Sequence, residues 1–179
     1  TFRNPCGAVI AAMSMLLAAS CAAAEVMPPP PAPAAAAGDT IYIIVRHAQK
    51  AAGDDPVLTA EGEAHAQALS AALADAGVTA IYATPYRRTQ ATAAPLAART
   101  GIAVTRYEPG DAAATAASIR AAGHHGTVLI VGHSNTVPTL VEAFAGVPVP
   151  AMPEPEYARL YAIAVGGDGR ARLLRLSLP

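Results

Sequence analysis

The strongest constraint on the fold is a run of apolar and β-favouring residues, Ile41 to Val45, which Arg46 and His47 follow directly. An uninterrupted run of this kind is typical of a strand that is buried on both faces, as in a parallel sheet. The two polar residues then lie at the carboxyl end of the strand, where ligand crevices form in open α/β sheets. Because a guanidinium repels divalent cations and binds anions through paired hydrogen bonds, Arg46 favours an anion site, above all one for phosphate.

Segments that favour strands alternate with alanine-rich segments that favour helices along the chain after residue 39. The predicted strands lie at 41–45, 78–83, 102–105, 127–131, 159–165 and 170–176. The predicted helices lie at 60–76, 85–99, 112–122 and 139–145, and the Gly-Gly-Asp-Gly segment at 166–169 signals a hairpin turn. This alternation predicts a three-layer α/β/α sandwich with a mostly parallel central sheet, to which the last hairpin adds an antiparallel component.

Residues 1–24 are typical of an export signal, because Arg3 precedes an apolar run at 8–19 that is too short to span a bilayer. Two processing routes are open. The alanines at 22–24 offer a cleavage site for soluble export, and Cys21 ends a segment that resembles a bacterial lipobox with its leucine one position too early. We expect either a periplasmic protein or a lipoprotein anchored to the membrane through Cys21.

Residues 25–38 form a linker rich in proline and alanine, whose consecutive prolines favour extended polyproline II and cannot join a core. The predicted folded domain therefore covers 39–179. Both cysteines, Cys6 and Cys21, precede this domain, which excludes disulfide and thiol chemistry within it. The oligomeric state has no signal in the sequence.

The charge and aromatic content argue against a nucleic-acid-binding protein. Lysine and arginine number 12 against 13 acidic residues, so the formal net charge is -1 and an anion site must be a local cluster of positive groups. Aromatic residues make up 4% of the chain and tryptophan is absent, which leaves little for base stacking.

Positive or imidazole side chains follow three of the predicted strands at the point where each strand ends. Arg46 and His47 follow the first, Arg88 lies one turn into the helix after the second, and His133 follows the fourth. Parallel strands bring these residues to one edge of the sheet. Such a group suits phosphoryl transfer, in which a neutral imidazole attacks phosphorus and positive donors bind its equatorial oxygens. Since carboxylates do not cluster at these strand ends, we expect no metal ion and no other cofactor.

Four segments carry a resemblance to a known family. They are Arg46-His47, Leu58-Thr59-x-x-Gly62, Thr84-Pro85-x-x-Arg88-Thr89-x-x-Thr92-Ala93 and Val131-Gly132-His133-Ser134-Asn135. In order and spacing they resemble the motifs of the histidine phosphatase superfamily, with its phosphoglycerate mutase-like fold, in particular the small uncapped branch of bacterial phosphohistidine phosphatases. The resemblance implies that His47 is the phosphorylated nucleophile and that Arg46, Arg88 and His133 form the phosphate pocket.

Other residues in and around these motifs leave alternatives open. The family pattern places the functional arginine directly before Thr89, which selects Arg88 over Arg87, and Ala48 stands where the family often has glycine. For the general acid the candidates are Glu108, Asp111 or neither, because Asp111 is also a good helix N-cap. We also expect Asn135 to donate to phosphate from the start of its helix.

These features together predict an exported, metal-independent phosphatase that hydrolyses a phosphomonoester or a phosphoramidate through a phosphohistidine on His47. The expected substrate is a phosphorylated small molecule or a phosphoester of the cell envelope. One alternative is a phosphatase that acts on phosphohistidine proteins, since the domain is small and uncapped. Another is a module without catalytic activity that binds phosphate or other anions. The paired His124 and His125 resemble metal ligands, but their position before a strand favours a loop role.

Overall fold

The computed structural model describes residues 39–178, which form one six-stranded sheet between two pairs of helices. The strands are β1 (Thr40–Arg46), β2 (Val78–Ala83), β3 (Val104–Arg106), β4 (Gly126–Gly132), β5 (Arg159–Val165) and β6 (Ala171–Ser177). The helices are α1 (Ala60–Ala72), α2 (Arg87–Thr100), α3 (Ala112–Ala121) and α4 (Val137–Ala145). The sheet order is β3-β2-β4-β1-β5-β6. The predicted three-layer sandwich is confirmed.

Four consecutive residues of β1, Tyr42 to Val45, are buried because helices cover both faces of the strand. Tyr42 and Ile44 pack among side chains of α3 and α4, whereas Ile43 and Val45 pack among side chains of α1 and α2. Ile44 is completely buried, and burial of one such aliphatic side chain stabilises a fold by about 1.5–3 kcal/mol. The uninterrupted apolar run is therefore the mark of a central strand and not of a sheet edge.

The parallel register brings three strand ends into line. Strand β1 pairs with β4 so that Arg46 lies opposite Gly132, and β2 pairs with β4 so that Ala83 lies opposite Val131. The residues that follow these strands, His47, Thr84 and His133, therefore start from one edge of the sheet. The last two strands differ, since β5 runs antiparallel to β1 and β6 runs antiparallel to β5.

The strand boundaries agree with the prediction within two residues, and α3 ends one residue before its predicted end, but the other three helices begin or end at least two residues from their predicted bounds. Helix α1 ends at Ala72 and not at residue 76, because the chain tightens into short-range turns in which the Ala74 amide bonds to the Ala71 carbonyl at 3.2 Å. Helix α2 begins at Arg87, two residues later than predicted, and α4 begins at Val137, two residues earlier. Alanine is so frequent around the end of α1 that helical periodicity does not fix that boundary.

The predicted export signal, the linker and the lipidation site Cys21 lie outside the described residues. Among residues 39–178, no helix combines the length and the apolar character that a bilayer crossing requires.

Candidate active site

His47 lies directly after β1 with its ring buried and one nitrogen fixed. Its backbone amide donates to the Gly132 carbonyl at 2.9 Å, and its Nδ1 lies 2.8 Å from the Ala48 carbonyl oxygen. Because a carbonyl only accepts, Nδ1 carries the proton and Nε2 keeps its lone pair. Burial lowers the pKa of His47 to about 4, against the opposing effect of the Ala48 hydrogen bond and with help from the charges of Arg46, His133 and Arg88. The imidazole is thus uncharged at neutral pH, and its Nε2 lone pair is available to attack an electrophile.

The residue after His47 is held by helix α2. The Ala48 amide donates to Thr92 Oγ1 at 2.9 Å, and the Thr92 hydroxyl donates to the Arg88 carbonyl at 2.7 Å. Ala48 itself is only 1% exposed, so a larger side chain has no room there. Thr92 therefore connects the end of β1 with the first turn of α2.

His133 lies across from His47, with 5.4 Å between the two ring centroids. Arg88 Nη2 lies 3.4 Å from His133 Nδ1, and since a guanidinium only donates, Nδ1 accepts and Nε2 donates to Thr84 Oγ1 at 3.0 Å. Thr84 is bonded in turn to the buried Thr89 hydroxyl at 2.8 Å. Burial lowers the pKa of His133 to about 4, and the charges of Arg88 and Arg46 add to this effect.

The two neighbouring arginines at the start of α2 differ in position. The side chain of Arg88 is 16% exposed, stacks on the Tyr86 ring at 4.5 Å and reaches His133, whereas Arg87 is exposed. Asp55 lies between them, because its Oδ1 accepts from the Arg87 amide at 2.8 Å and lies 3.7 Å from Arg88 Nη1. The structure therefore places Arg88, and not Arg87, at the strand ends.

Arg46 is enclosed by the segment 153–157, which precedes β5. Its Nη1 donates to the Glu154 carbonyl at 2.6 Å, and its Nη2 donates to the Glu154 carboxylate at 2.9 Å. The guanidinium also stacks on the Tyr157 ring at 4.2 Å, and this ring lies 6.1 Å from that of His47. The sequence analysis assigned no role to this segment. The available signal was the group of acidic and aromatic residues around its prolines.

Each of the two enclosed arginines retains a donor without a partner. The Nε atoms of Arg46 and Arg88 are buried, and neither has a hydrogen-bond partner within residues 39–178. Buried donors in folded proteins are normally satisfied. Two such donors, on arginines whose charges act on the neutral His47 ring, indicate an anion site, and the paired N–H geometry of guanidinium suits a phosphoryl group.

Three further predicted residues lie away from this cluster. Glu108 is exposed and lines a different cavity, of about 540 Å³, between β3 and α3. Asp111 caps α3, since its Oδ1 accepts from the amides of Ala113 and Ala114 at 2.8 and 3.1 Å. Asn135 is exposed in the turn before α4. The structure joins none of the three to His47 by a contact, so their roles stay predictions.

His124 and His125 lie at the opposite end of the sheet, before β4. The His124 ring bonds to the Tyr82 hydroxyl at 2.7 Å, and the His125 carbonyl accepts from Thr79. In the described part of the chain, no three side chains of the metal-binding types are grouped closely enough to hold an ion. This agrees with a loop role for the pair.

Comparisons with known proteins concern the family and the fold of this chain. Residues 42–109 match the family model of the histidine phosphatase superfamily, branch 1. The fold is similar to that of the protein histidine phosphatase SixA complexed with tungstate, with a TM-score of 0.65, 18% identity and coverage of 76% of this chain and 96% of that one. No curated protein matches the sequence.

Two more solved structures share the fold. One is a putative phosphohistidine phosphatase SixA from Nakamurella multipartitia, with a TM-score of 0.61, 22% identity and coverage of 79% of this chain and 97% of that one. The other is a mycobacterial glucosyl-3-phosphoglycerate phosphatase, with a TM-score of 0.58, 18% identity and coverage of 79% and 100%. At such identities the structural likeness concerns the fold alone.

Proposed function

Because residues 42–109 match the family model of the histidine phosphatase superfamily, we propose that the chain belongs to this superfamily and is a phosphatase that transfers a phosphoryl group first to His47 and then to water. The observation that carries this proposal is the arrangement around His47. Its Nε2 holds a free lone pair at neutral pH, the charges of Arg46 and Arg88 act on its ring, and the Nε donor of each arginine is buried without a partner within residues 39–178. A nucleophile and donors for the equatorial oxygens are what in-line phosphoryl transfer requires.

The residues of the cluster have two roles in this mechanism, nucleophilic attack and binding of the phosphoryl oxygens. His47 attacks phosphorus and becomes a phosphohistidine, while Arg46, Arg88 and His133 bind the equatorial oxygens. The arrival of a dianion favours the protonated form of His133, because an adjacent negative charge raises the pKa of an imidazole. Loss of one such donor typically costs about 10²–10³ in rate.

The reaction proposed for this site needs no metal ion or other cofactor. The side chains that meet at the strand ends are arginines and histidines, and the guanidinium charges repel a divalent cation. The same charges perform the stabilisation that a metal supplies in other phosphatases. We expect activity to survive exhaustive treatment with a chelator, and a loss that zinc or magnesium restores would contradict this part of the proposal.

The proposed substrate is a phosphomonoester or phosphoramidate, carried by a phosphorylated small molecule or an envelope component. The structural neighbours described as acting on phosphohistidine and on glucosyl-3-phosphoglycerate support a phosphorylated substrate in general. Export, as residues 1–24 suggest, favours an envelope phosphoester over a cytoplasmic phosphohistidine protein. Mass spectrometry of the mature N-terminus tests export: we expect a chain that begins near Glu25 or at a lipidated Cys21.

Rapid quench with a radiolabelled phosphoester tests the central proposal. We expect a phosphoenzyme that is labile in acid and stable in base, as phosphohistidine is, and that is absent in His47→Ala. A base-labile adduct, or full turnover by His47→Ala, would contradict the proposed mechanism. Binding of phosphate without turnover of any ester or phosphoramidate would instead support the alternative of a non-catalytic binding module.

A further inference from the structure

Hydrolysis of an unactivated phosphoester requires a proton for the departing oxygen, because an alkoxide is a poor leaving group. Within residues 39–178, the carboxylates in contact with an arginine of the site are Glu154, 2.9 Å from Arg46 Nη2, and Asp55, 3.7 Å from Arg88 Nη1. Asp55 already caps the start of α2 through the Arg87 amide. Its Oδ1 is thus occupied at the start of α2, which leaves Glu154, whose side chain is 75% exposed, as the carboxylate that can exchange a proton with solvent.

We propose that Glu154 is the general acid of phosphoryl transfer to His47 and the general base of the hydrolysis that follows, an assignment that rests on the proposed function. The Glu154 carboxylate bridges Arg46 Nη2 and the Ser134 hydroxyl, which donates to it at 3.1 Å. It thus connects the segment before β5 with the turn after β4, directly across the strand ends.

The depths of the two residues fit an in-line reaction. His47 is 3% exposed and lies at the floor of the site, whereas the Glu154 side chain is 75% exposed and lies at its mouth. In an in-line displacement the leaving group departs on the side opposite the nucleophile. The departing oxygen therefore moves toward the mouth, where the Glu154 carboxyl group meets it and where solvent can restore its proton.

Arg46 couples the protonation of Glu154 to occupation of the site. In the empty site the hydrogen bond and charge of Arg46 hold the pKa of Glu154 below its usual range. A phosphoryl dianion competes for the same guanidinium and adds negative charge nearby, and both effects raise the pKa of the carboxyl group. Glu154 is thus ionised when the site is empty and takes up a proton when a dianion binds.

The proposed steps balance in atoms and charge. The His47 Nε2 lone pair forms the N–P bond as the P–O bond breaks, and the departing oxygen keeps that electron pair and takes the proton of Glu154. The products are an alcohol, a Glu154 carboxylate and a phosphohistidine whose Nδ1 keeps its proton. Water then attacks phosphorus and gives a proton to the carboxylate, and the N–P electron pair returns to Nε2, which regenerates both residues.

A leaving-group series in Glu154→Gln and wild type tests this role. The amide keeps a hydrogen-bond acceptor for Arg46 but carries no acidic proton. For alkyl phosphates we expect kcat/KM to fall by about 10²–10⁴, the usual contribution of a general acid. For 4-nitrophenyl phosphate, whose leaving group needs no proton, we expect a change of less than about threefold. An equal loss on both classes, or none on alkyl phosphates, would overturn the proposal.

Glu156→Gln and Glu108→Gln are the matched controls. Glu156 lies in the same segment but pairs with Arg159, and its contact with Arg46 is through the backbone carbonyl. Glu108 is one of the candidates for the general acid that the sequence leaves open. We expect neither variant to change the dependence on leaving group. If Glu108→Gln showed the selective loss and Glu154→Gln did not, the acid would be Glu108 and the proposal would be wrong.

Calorimetry with tungstate, a dianion that has no proton of its own at neutral pH, gives a readout that does not depend on turnover. In buffers of different ionisation enthalpy, we expect wild type to take up about one proton more than Glu154→Gln on binding. Equal uptake in both proteins would overturn the proposal for Glu154 while leaving the proposed phosphatase intact. The proposed function itself would fail only if wild type turned over no phosphoester or phosphoramidate.

Discussion

Two pairs of histidines lie at opposite ends of the same sheet, and they differ in almost every respect. His47 and His133 are far apart in sequence, yet strands β1 and β4 place their rings 5.4 Å apart at the carboxyl edge. His124 and His125 are adjacent in sequence, yet at the amino edge the His124 ring bonds to Tyr82 and His125 is exposed. The end of the strand at which a histidine lies is therefore a better guide to a site than its proximity to another histidine in the sequence.

The pairs also differ in their electrostatic surroundings. Burial and the charges of Arg46 and Arg88 lower the pKa of both His47 and His133, so both rings are neutral at neutral pH. At the amino edge, the chain around His124 serves structure, since the His124 carbonyl accepts from the Thr40 hydroxyl at 2.6 Å at the start of β1. We therefore expect the residues at the carboxyl edge to act in catalysis and those at the amino edge to stabilise the sheet. Four experiments test this distinction.

The largest expected effect comes from deleting one histidine of each pair. His47→Ala should lower kcat/KM by roughly 10⁴-fold or more, the order of loss seen when a covalent nucleophile is removed. His124→Ala, the matched change at the other edge, should leave kcat/KM within about threefold of wild type. Steady-state kinetics with one phosphoester measures kcat/KM of both variants. A comparable loss in His124→Ala would show that the two edges do not differ in function.

A smaller loss should follow from removing the arginine that bonds to His133. Arg88→Ala should lower kcat/KM by roughly 10²-fold and weaken inorganic phosphate less, because the guanidinium stabilises developing charge. Arg88→Lys should rescue only in part, since an ammonium lacks the two-pronged geometry. The exposed Arg87 is the control, and Arg87→Ala should be nearly silent. If Arg88→Ala left kcat/KM unchanged, the carboxyl edge would not be catalytic in the way proposed.

The contact between helix α1 and the loop after His47 should be sensitive to one methyl group added at Gly62. A Cβ on Gly62 in α1 would collide with the backbone carbonyl oxygen of Gln49, and neither backbone can move freely. Gly62→Ala should destabilise the protein by about 1–3 kcal/mol, as overpacking does. Gly110→Ala is the control, because a Cβ there meets no atom within 4 Å. Urea denaturation compares the two, and equal midpoints would contradict the close approach.

The last prediction concerns pH. The pKa values of His47 and His133 are lowered to about 4 in the folded state from an ordinary value of 6.5. Between pH 6.5 and 4 the unfolded chain therefore binds protons that the folded chain does not, and stability falls as pH falls through this window. Above pH 6.5 these two groups contribute no slope.

Urea denaturation at pH 7 and pH 4.5 measures this loss. Because His133→Gln removes one of the two groups, the variant should lose less stability than wild type between these pH values. An identical loss in both proteins would show that His133 is not held neutral by the fold.

The sequence predicted the framework of the site because that framework depends on local patterns. Apolar runs identify the strands, and the residues directly after them, such as His47 and His133, must lie near the strand ends. The enclosure of Arg46 could not be predicted in the same way, since Glu154 and Tyr157 reach it from more than a hundred positions away in an irregular segment. The end of α1 was wrong because alanine fits a helix and a turn about equally well.

The antiparallel direction of β5 has a consequence for how such a protein can diversify. Leu160 pairs with Val45, so the segment that leads into β5 has to pass over the carboxyl edge on its way to the sheet. Its length can change ahead of the residues that enclose Arg46 without disturbing β1 to β4, because loops tolerate insertion far better than the strands they join. The part of the chain between α4 and residue 153 is thus a place where a longer insert would cover the proposed site and leave its residues unchanged.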